Sequence, residues 1–309
     1  MPKKQKVLVI VGPTSSGKSA LAVELARKFG GEVISADSRQ VYRGLDIGTG
    51  KITKREMRGI RHHLLDVVSP KKTFTAHDFL VRGRKVIATT LRRGLLPIIA
   101  GGTGFYIDTL MGRVTLPNVP ANPKLRAQLE KKSAAELFAL LKKRDSRRAK
   151  TIDPHNKRRL IRAVEIAEMF GAVSRNNDLR SRYGNINDFV NRYKVLWIGV
   201  SPKMKMLERQ ITIRLFARIS RGMVAEAKRL HTRGLSYKRM EALGLEYRSL
   251  ARLLQGKVSR REFEEEIFRE IRRYAKRQMT YWRRNKEITW FNPNRKSNIL
   301  KHVKRWIRS

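Results

Sequence analysis

The sequence contains no cysteine, so neither a disulfide nor a thiolate metal site can hold the fold together. That absence fits a reducing, cytoplasmic setting. Acid is scarce too: 26 Asp and Glu stand against 70 Lys and Arg in 309 residues, a formal net charge of +44. Long apolar runs are missing. The run VLVIV (Val7–Val11) is too short for a signal peptide, and no window approaches the ~18 apolar residues of a membrane span. No internal repeat or low-complexity tract interrupts the chain.

What is present is a hydrophobic fraction of 41%, enough to bury a core and exclude wholesale disorder. The charge is uneven: residues 1–120 carry 21 basic against 8 acidic side chains, and residues 121–309 carry 49 against 18. A field of this sign and density calls for a polyanionic partner, and nucleic acid is the commonest. The competing reading is a basic but merely solvated surface.

Strands and helices alternate through the first part of the chain. The pattern predicts strands at Val7–Gly12, Glu32–Asp37, His62–Val68 and Leu95–Gly102, with helices at Gly17–Gly30, 76–93 and from Phe105. Such alternation gives a parallel, doubly wound α/β sheet whose ligand lies at the carboxyl ends of the strands. Three polar stretches, GPTSSGKS, ADSRQVY and GGTGFY, then meet in one crevice. After TLPNVPANP the pattern turns helical, at 124–144 and 158–170. A Gly/Asn/Arg-rich linker occupies 171–189, and VLWIGV (Val195–Val200) returns to the sheet. The expected organisation is a core of residues 1–118 and 190–309 with a helical insertion at 119–189. Further helices are predicted at 203–233, 245–255 and 259–284, and a short strand at Glu287–Phe291.

GPTSSGKS matches G-x-x-x-x-G-K-[ST] between a predicted strand and helix. In such a loop Gly12, Pro13, Thr14, Ser15, Ser16 and Gly17 turn backbone N–H groups toward a phosphate. Lys18 reaches the outer phosphates and Ser19 is placed to ligate magnesium. The fourth strand ends IIAGGTG and not in an acidic metal ligand, no apolar run is followed by Asp-Glu, and no Asn-Lys-x-Asp base-reading motif occurs. Asp37, at the end of the second strand, reads as a metal ligand, a general base or a turn cap. Thr103 reads equally as a crevice hydrogen-bonding group or a helix cap.

The blocks GPTSSGKS, ISADSRQVYRGLDIGTGK, HHLLDVVSP, GGTGFYI, KRRLIRAVE and RRYAKRQMTYW, in this order, resemble the tRNA dimethylallyltransferase family over nearly the whole chain. The resemblance implies a P-loop NTPase-like fold and transfer of a dimethylallyl group from dimethylallyl diphosphate. The acceptor is N6 of the adenine on the 3′ side of the anticodon in tRNA, with Mg2+ as cofactor and a monomeric, cytoplasmic enzyme. It assigns Thr14–Ser19 and Arg214 to the diphosphate, Lys18, Asp37 and Thr103 to catalysis, and Ser19 to the metal. The tRNA falls to Asp37, Ser38, Arg39, Gln40, Thr103 and Arg126, and to the run Arg158, Arg159, Leu160, Ile161 and Arg162.

Departures from the pattern are local. Gln210 stands where an arginine is usual, GLGLEYRSL lacks the glycine before Tyr247, and the total charge exceeds the family's habit. Arg272, Arg273, Lys276 and Arg277 are expected to be free for RNA phosphates. The stripe Phe263, Ile267, Ile271, Tyr274, Gln278 and Trp282 is expected to be core. Three other classes compete. An adenylate isopentenyltransferase would not need the distal charge. A nucleotide kinase would want an acidic strand end. A non-catalytic RNA-binding protein would not need Lys18, Ser19, Asp37 and Thr103 intact.

Overall fold

The computed structural model describes residues 4–117, 119–170 and 191–309; the 171–189 linker lies outside them. The chain forms two compact units, one of Met1–Arg113 with Asn191–Ser309 and one of Val114–Val190. The first unit opens with β1 (Gln5–Val11), α1 (Lys18–Phe29) and β2 (Gly31–Ser35). Then come α2 (Lys54–Met57), β3 (His62–His63), α3 (Ala76–Arg92), β4 (Leu96–Ala100) and α4 (Gly104–Leu110). β3 is shorter than its apolar sequence predicts. Leu64 and Asp66 adopt left-handed φ angles of 62° and 57°, which end extended pairing at once.

The second unit is helical: α5 (Pro123–Leu129), α6 (Ala134–Arg144), α7 (Ser146–Ala149) and α8 (Lys157–Phe170). The single helix expected at 124–144 is two. Ser133 caps α6 in a reciprocal box with Glu136, a start signal strong enough to break the run. Leu137, Leu141, Leu160, Ile161 and Val164 form this unit's own core.

The first unit resumes with β5 (Tyr193–Val200), α9 (Met204–Ser220), α10 (Met223–Thr232), α11 (Tyr237–Leu243) and α12 (Leu245–Leu254). It closes with α13 (Arg260–Trp282), β6 (Thr289–Phe291) and α14 (Lys296–Arg308). Gly222, at φ 95°, divides the helix predicted at 203–233. All six strands run parallel in the order β3-β2-β4-β1-β5-β6. β1 is central: Leu8 faces Ile98 of β4 on one side and Leu196 of β5 on the other. Leu8, Ile10, Leu25, Ile98 and Ile198 make the core on one face, where Ile299 and Val303 of α14 cover it. With β1 flanked by β4 and β5, the loops after β1, β2 and β4 open at one end of the sheet.

Candidate active site

The β1–α1 loop turns through Gly12, Ser15 and Gly17, whose φ values of 145°, 61° and 91° no extended or helical chain supplies. Gly17 caps α1 without a side chain, so the first helical N–H groups stay available to an anion. Lys18 donates to the Pro13 carbonyl and, at 3.5 Å, to Ser16 Oγ. Burial lowers the Lys18 ammonium to about 7; the Arg214 charge adds to this and Asp37 opposes it. A cation held this low is short of a negative partner. Ser19 is exposed beside it.

The β2 and β4 loops are stitched together. Ala36 N–H donates to Ala100 O at 2.9 Å and Thr103 N–H to Ala36 O at 3.1 Å. The Thr103 hydroxyl accepts from Ser38 N–H at 3.0 Å and is hydrogen-bonded to Tyr274. Thr103 occupies the N-cap position of α4 without capping it, so its hydroxyl serves the crevice. Half-buried Asp37 accepts from Arg39 N–H at 2.8 Å and Gln40 N–H at 3.3 Å, both on Oδ1. Oδ1 therefore caps the turn, while the same side chain lines the pocket.

Gln278 joins the β1 and β4 loops. Its Oε1 accepts from Thr14 N–H at 2.7 Å and its Nε2 donates to Gly102 O at 3.0 Å. A Cβ on residue 102 would stand 2.0 Å from that Nε2, so a larger residue there would push the amide out of its bridge. Asp37, Thr14, Thr49, Glu246, Ile271 and Tyr274 share one pocket. Of the α13 stripe expected in the core, Phe263, Ile267, Ile271, Gln278 and Trp282 are buried. Tyr274 faces the pocket instead. Gln278, Tyr274, Thr49 and Glu246 escape sequence reasoning, and the signal for Gln278 was an amide within an apolar stripe.

The other predicted residues are placed as follows. Gln40 turns inward, its Nε2 3.5 Å from Thr49 O and its Oε1 3.4 Å from Ser35 Oγ. Arg39 donates to Ser38 O at 3.3 Å. Arg214 lies beside the Gly50 backbone. In the helical unit, Arg126 makes a two-pronged pair with Glu165 at 2.9 and 2.7 Å, and Arg162 binds the same carboxylate. Burial would raise the Glu165 carboxyl, but Arg126, the Asn122 N–H and Arg162 outweigh it and bring it down to about 2. Leu160 and Ile161 are core residues, 0% and 4% exposed. Their side chains cannot reach RNA, because the apolar face of α8 is packed against its neighbours. Arg158 and Arg159 are the exposed cations of that run. On α13, Arg272 pairs with Glu208 and Arg273 with Glu270, leaving Lys276 and Arg277 exposed.

The family model described as IPP transferase matches residues 40–285. A tRNA dimethylallyltransferase 2 of Syntrophus aciditrophicus is 37% identical over 99% of this chain and 98% of its own. Another of that name from Treponema denticola is 40% identical, covering 91% and 92%. Among solved structures, the full-length tRNA isopentenylpyrophosphate transferase of Bacillus halodurans superposes with a TM-score of 0.72 at 34% identity, covering 97% and 96%. A eukaryotic dimethylallyltransferase crystallised acting on tRNA gives 0.78 at 26% identity, covering 94% of this chain and 74% of its own.

Proposed function

This chain belongs to the IPP transferase family, and from that premise and the crevice geometry we infer that it is a tRNA dimethylallyltransferase. It transfers a dimethylallyl group to tRNA. The donor is dimethylallyl diphosphate and the acceptor is N6 of the adenine 3′ to the anticodon. The observation that carries this reading is the junction of the phosphate loop with Asp37 and Thr103, held by the Gln278 bridge and the Thr103–Ser38 bond.

The chemistry follows from the charges. As the allylic C–O bond breaks, negative charge collects on the diphosphate. The Gly17, Lys18 and Ser19 backbone amides at the α1 terminus and the Lys18 side chain are preorganised to receive it. The exocyclic amine becomes cationic as it attacks carbon, and Asp37 accepts its proton. Thr103, polarised by Tyr274 and Ser38, orients that amine. Ile271 and the Tyr274 ring give the pocket an apolar side for the prenyl chain, and an adenine in a single-stranded loop can be flipped in for about a few kcal/mol. Among the described residues no three His, Asp or Glu side chains cluster, so a resident metal cage does not fit. The exposed Ser19 hydroxyl fits magnesium brought by the substrate's own phosphate oxygens, where the ion would neutralise leaving-group charge.

Purified protein, magnesium and labelled dimethylallyl diphosphate, offered unmodified tRNA or free AMP separately, test the reading. Label in tRNA alone is expected. Label in AMP alone, or ATP turnover without label transfer, would overturn it.

A further inference from the structure

The loop that follows β2 and Asp37 folds back through Asp46, Ile47 and Gly48 so that three successive N–H groups converge. Such a concavity ordinarily binds an anion from outside. Here the protein supplies the anion. Glu226 of α10, only 2% exposed, accepts from Asp46 N–H at 3.0 Å, Ile47 N–H at 2.8 Å and Gly48 N–H at 2.9 Å. A fourth donor, the Tyr247 hydroxyl, reaches the same carboxylate at 2.7 Å. Burial first, and then Glu226, hold that phenol far above its usual range, so it remains a donor. A Cβ on Gly48 would lie 2.7 Å from the phenol oxygen, so loop and ring meet without slack.

The two things Glu226 ties together are two parts of the pocket wall. Thr49 follows directly on the nest, and Leu245 and Glu246 directly precede Tyr247; all three line the pocket together with Asp37. In front of the brace, Arg218 donates to Gly48 O at 2.7 Å and to Glu246 at 3.0 Å, closing a second link between the same two segments. Leu245 holds a left-handed φ of 41°, a strained turn that needs such support.

We propose that Glu226 and Tyr247 are positioning residues, which fix the Thr49–Glu246 wall against the Asp37 side and so keep water from the allylic carbon during transfer. This rests on the prenyl-transfer reading above. When the wall shifts, water competes with the amine. Its oxygen bonds to the allylic carbon, the C–O bond to diphosphate breaks with its electron pair leaving on diphosphate, and the water proton passes to solvent. The product is 3-methylbut-2-enol.

Tyr247→Phe removes one hydrogen bond and keeps the ring against Gly48; Glu226→Gln turns an amide NH2 toward backbone donors. Each is compared with the unaltered protein for label in tRNA, label in the alcohol, KM for the diphosphate and thermal unfolding. For Tyr247→Phe the expected result is an unchanged KM and fold, a transfer kcat lower by about tenfold, and an alcohol-to-tRNA ratio raised severalfold. Glu226→Gln should go further in the same direction. A role in folding alone would lower both products together and leave their ratio fixed, and that outcome overturns the proposal. So does an unchanged Tyr247→Phe, which decides the matter if Glu226→Gln does not fold. An unaltered protein that labels no tRNA instead overturns the functional reading, and the proposal with it.

Discussion

Lys18 carries the sharpest residue-scale consequence. With its ammonium lowered to about 7, it is largely protonated below that pH and largely neutral above it. A bound diphosphate favours the charged form, so binding takes up a proton only above pH 7. Donor affinity should therefore hold steady below pH 7 and fall with rising pH, by up to about tenfold per unit. Calorimetry in buffers of different ionisation heat, with Lys18→Arg as the comparator that does not titrate, reads this directly. Gln278 makes a second case. Gln278→Leu leaves Thr14 N–H and Gly102 O unpaired, and should cost about 1–3 kcal/mol in stability and lower turnover more than tRNA affinity. Unchanged turnover would show that the bridge is not needed to align the two loops. Asp37 and Thr103 were legible in the sequence because each follows a strand end, where parallel sheets place their chemistry. Gln278 was not, because periodicity reports which face is buried and not what a buried amide bonds to.

At the scale of elements, the main sheet was readable from the strand–helix alternation, and the errors fell where local signals compete. α6 begins at a capping box inside a run that periodicity alone joins to α5. α14 went unread, although Ile299, Val303 and Trp306 bury one face of it, because its basic residues mask the stripe. The arginines of the helical unit show why charge does not reveal partners: Arg126 and Arg162 converge on Glu165, whose side chain is 1% exposed. That cluster is a staple between α5, α8 and the Val119–Asn122 segment. Glu165→Ala should cost about 2–3 kcal/mol, seen as faster hydrogen exchange in α5 and α8. Because the folded carboxyl titrates near 2 and the unfolded one near 4.5, the staple's contribution is complete above pH 4.5. It should vanish as the pH falls toward 2. Exchange in α8 that does not rise over that interval would remove Glu165 from this role.

At the scale of the whole molecule, the net charge of +44 remains the dominant property, and none of the described helices is long and apolar enough to cross a membrane. Binding of tRNA should weaken steeply with salt. Arg158→Ala with Arg159→Ala should flatten the log–log slope by about 1.4–1.8, the value for two lost phosphate contacts, and an unchanged slope would take α8 out of the RNA interface. The placement of β1 bears on something else, the order in which the protein is made. Val7 pairs with Val195, so one flank of β1 has no partner until β5, far along the chain, has been made. Meanwhile the helical unit, whose contacts are local, can fold ahead of the sheet that brackets it in sequence. The nascent chain thus passes through a stage with an apolar strand still unpaired along one flank, and that stage is where it is most exposed to aggregation.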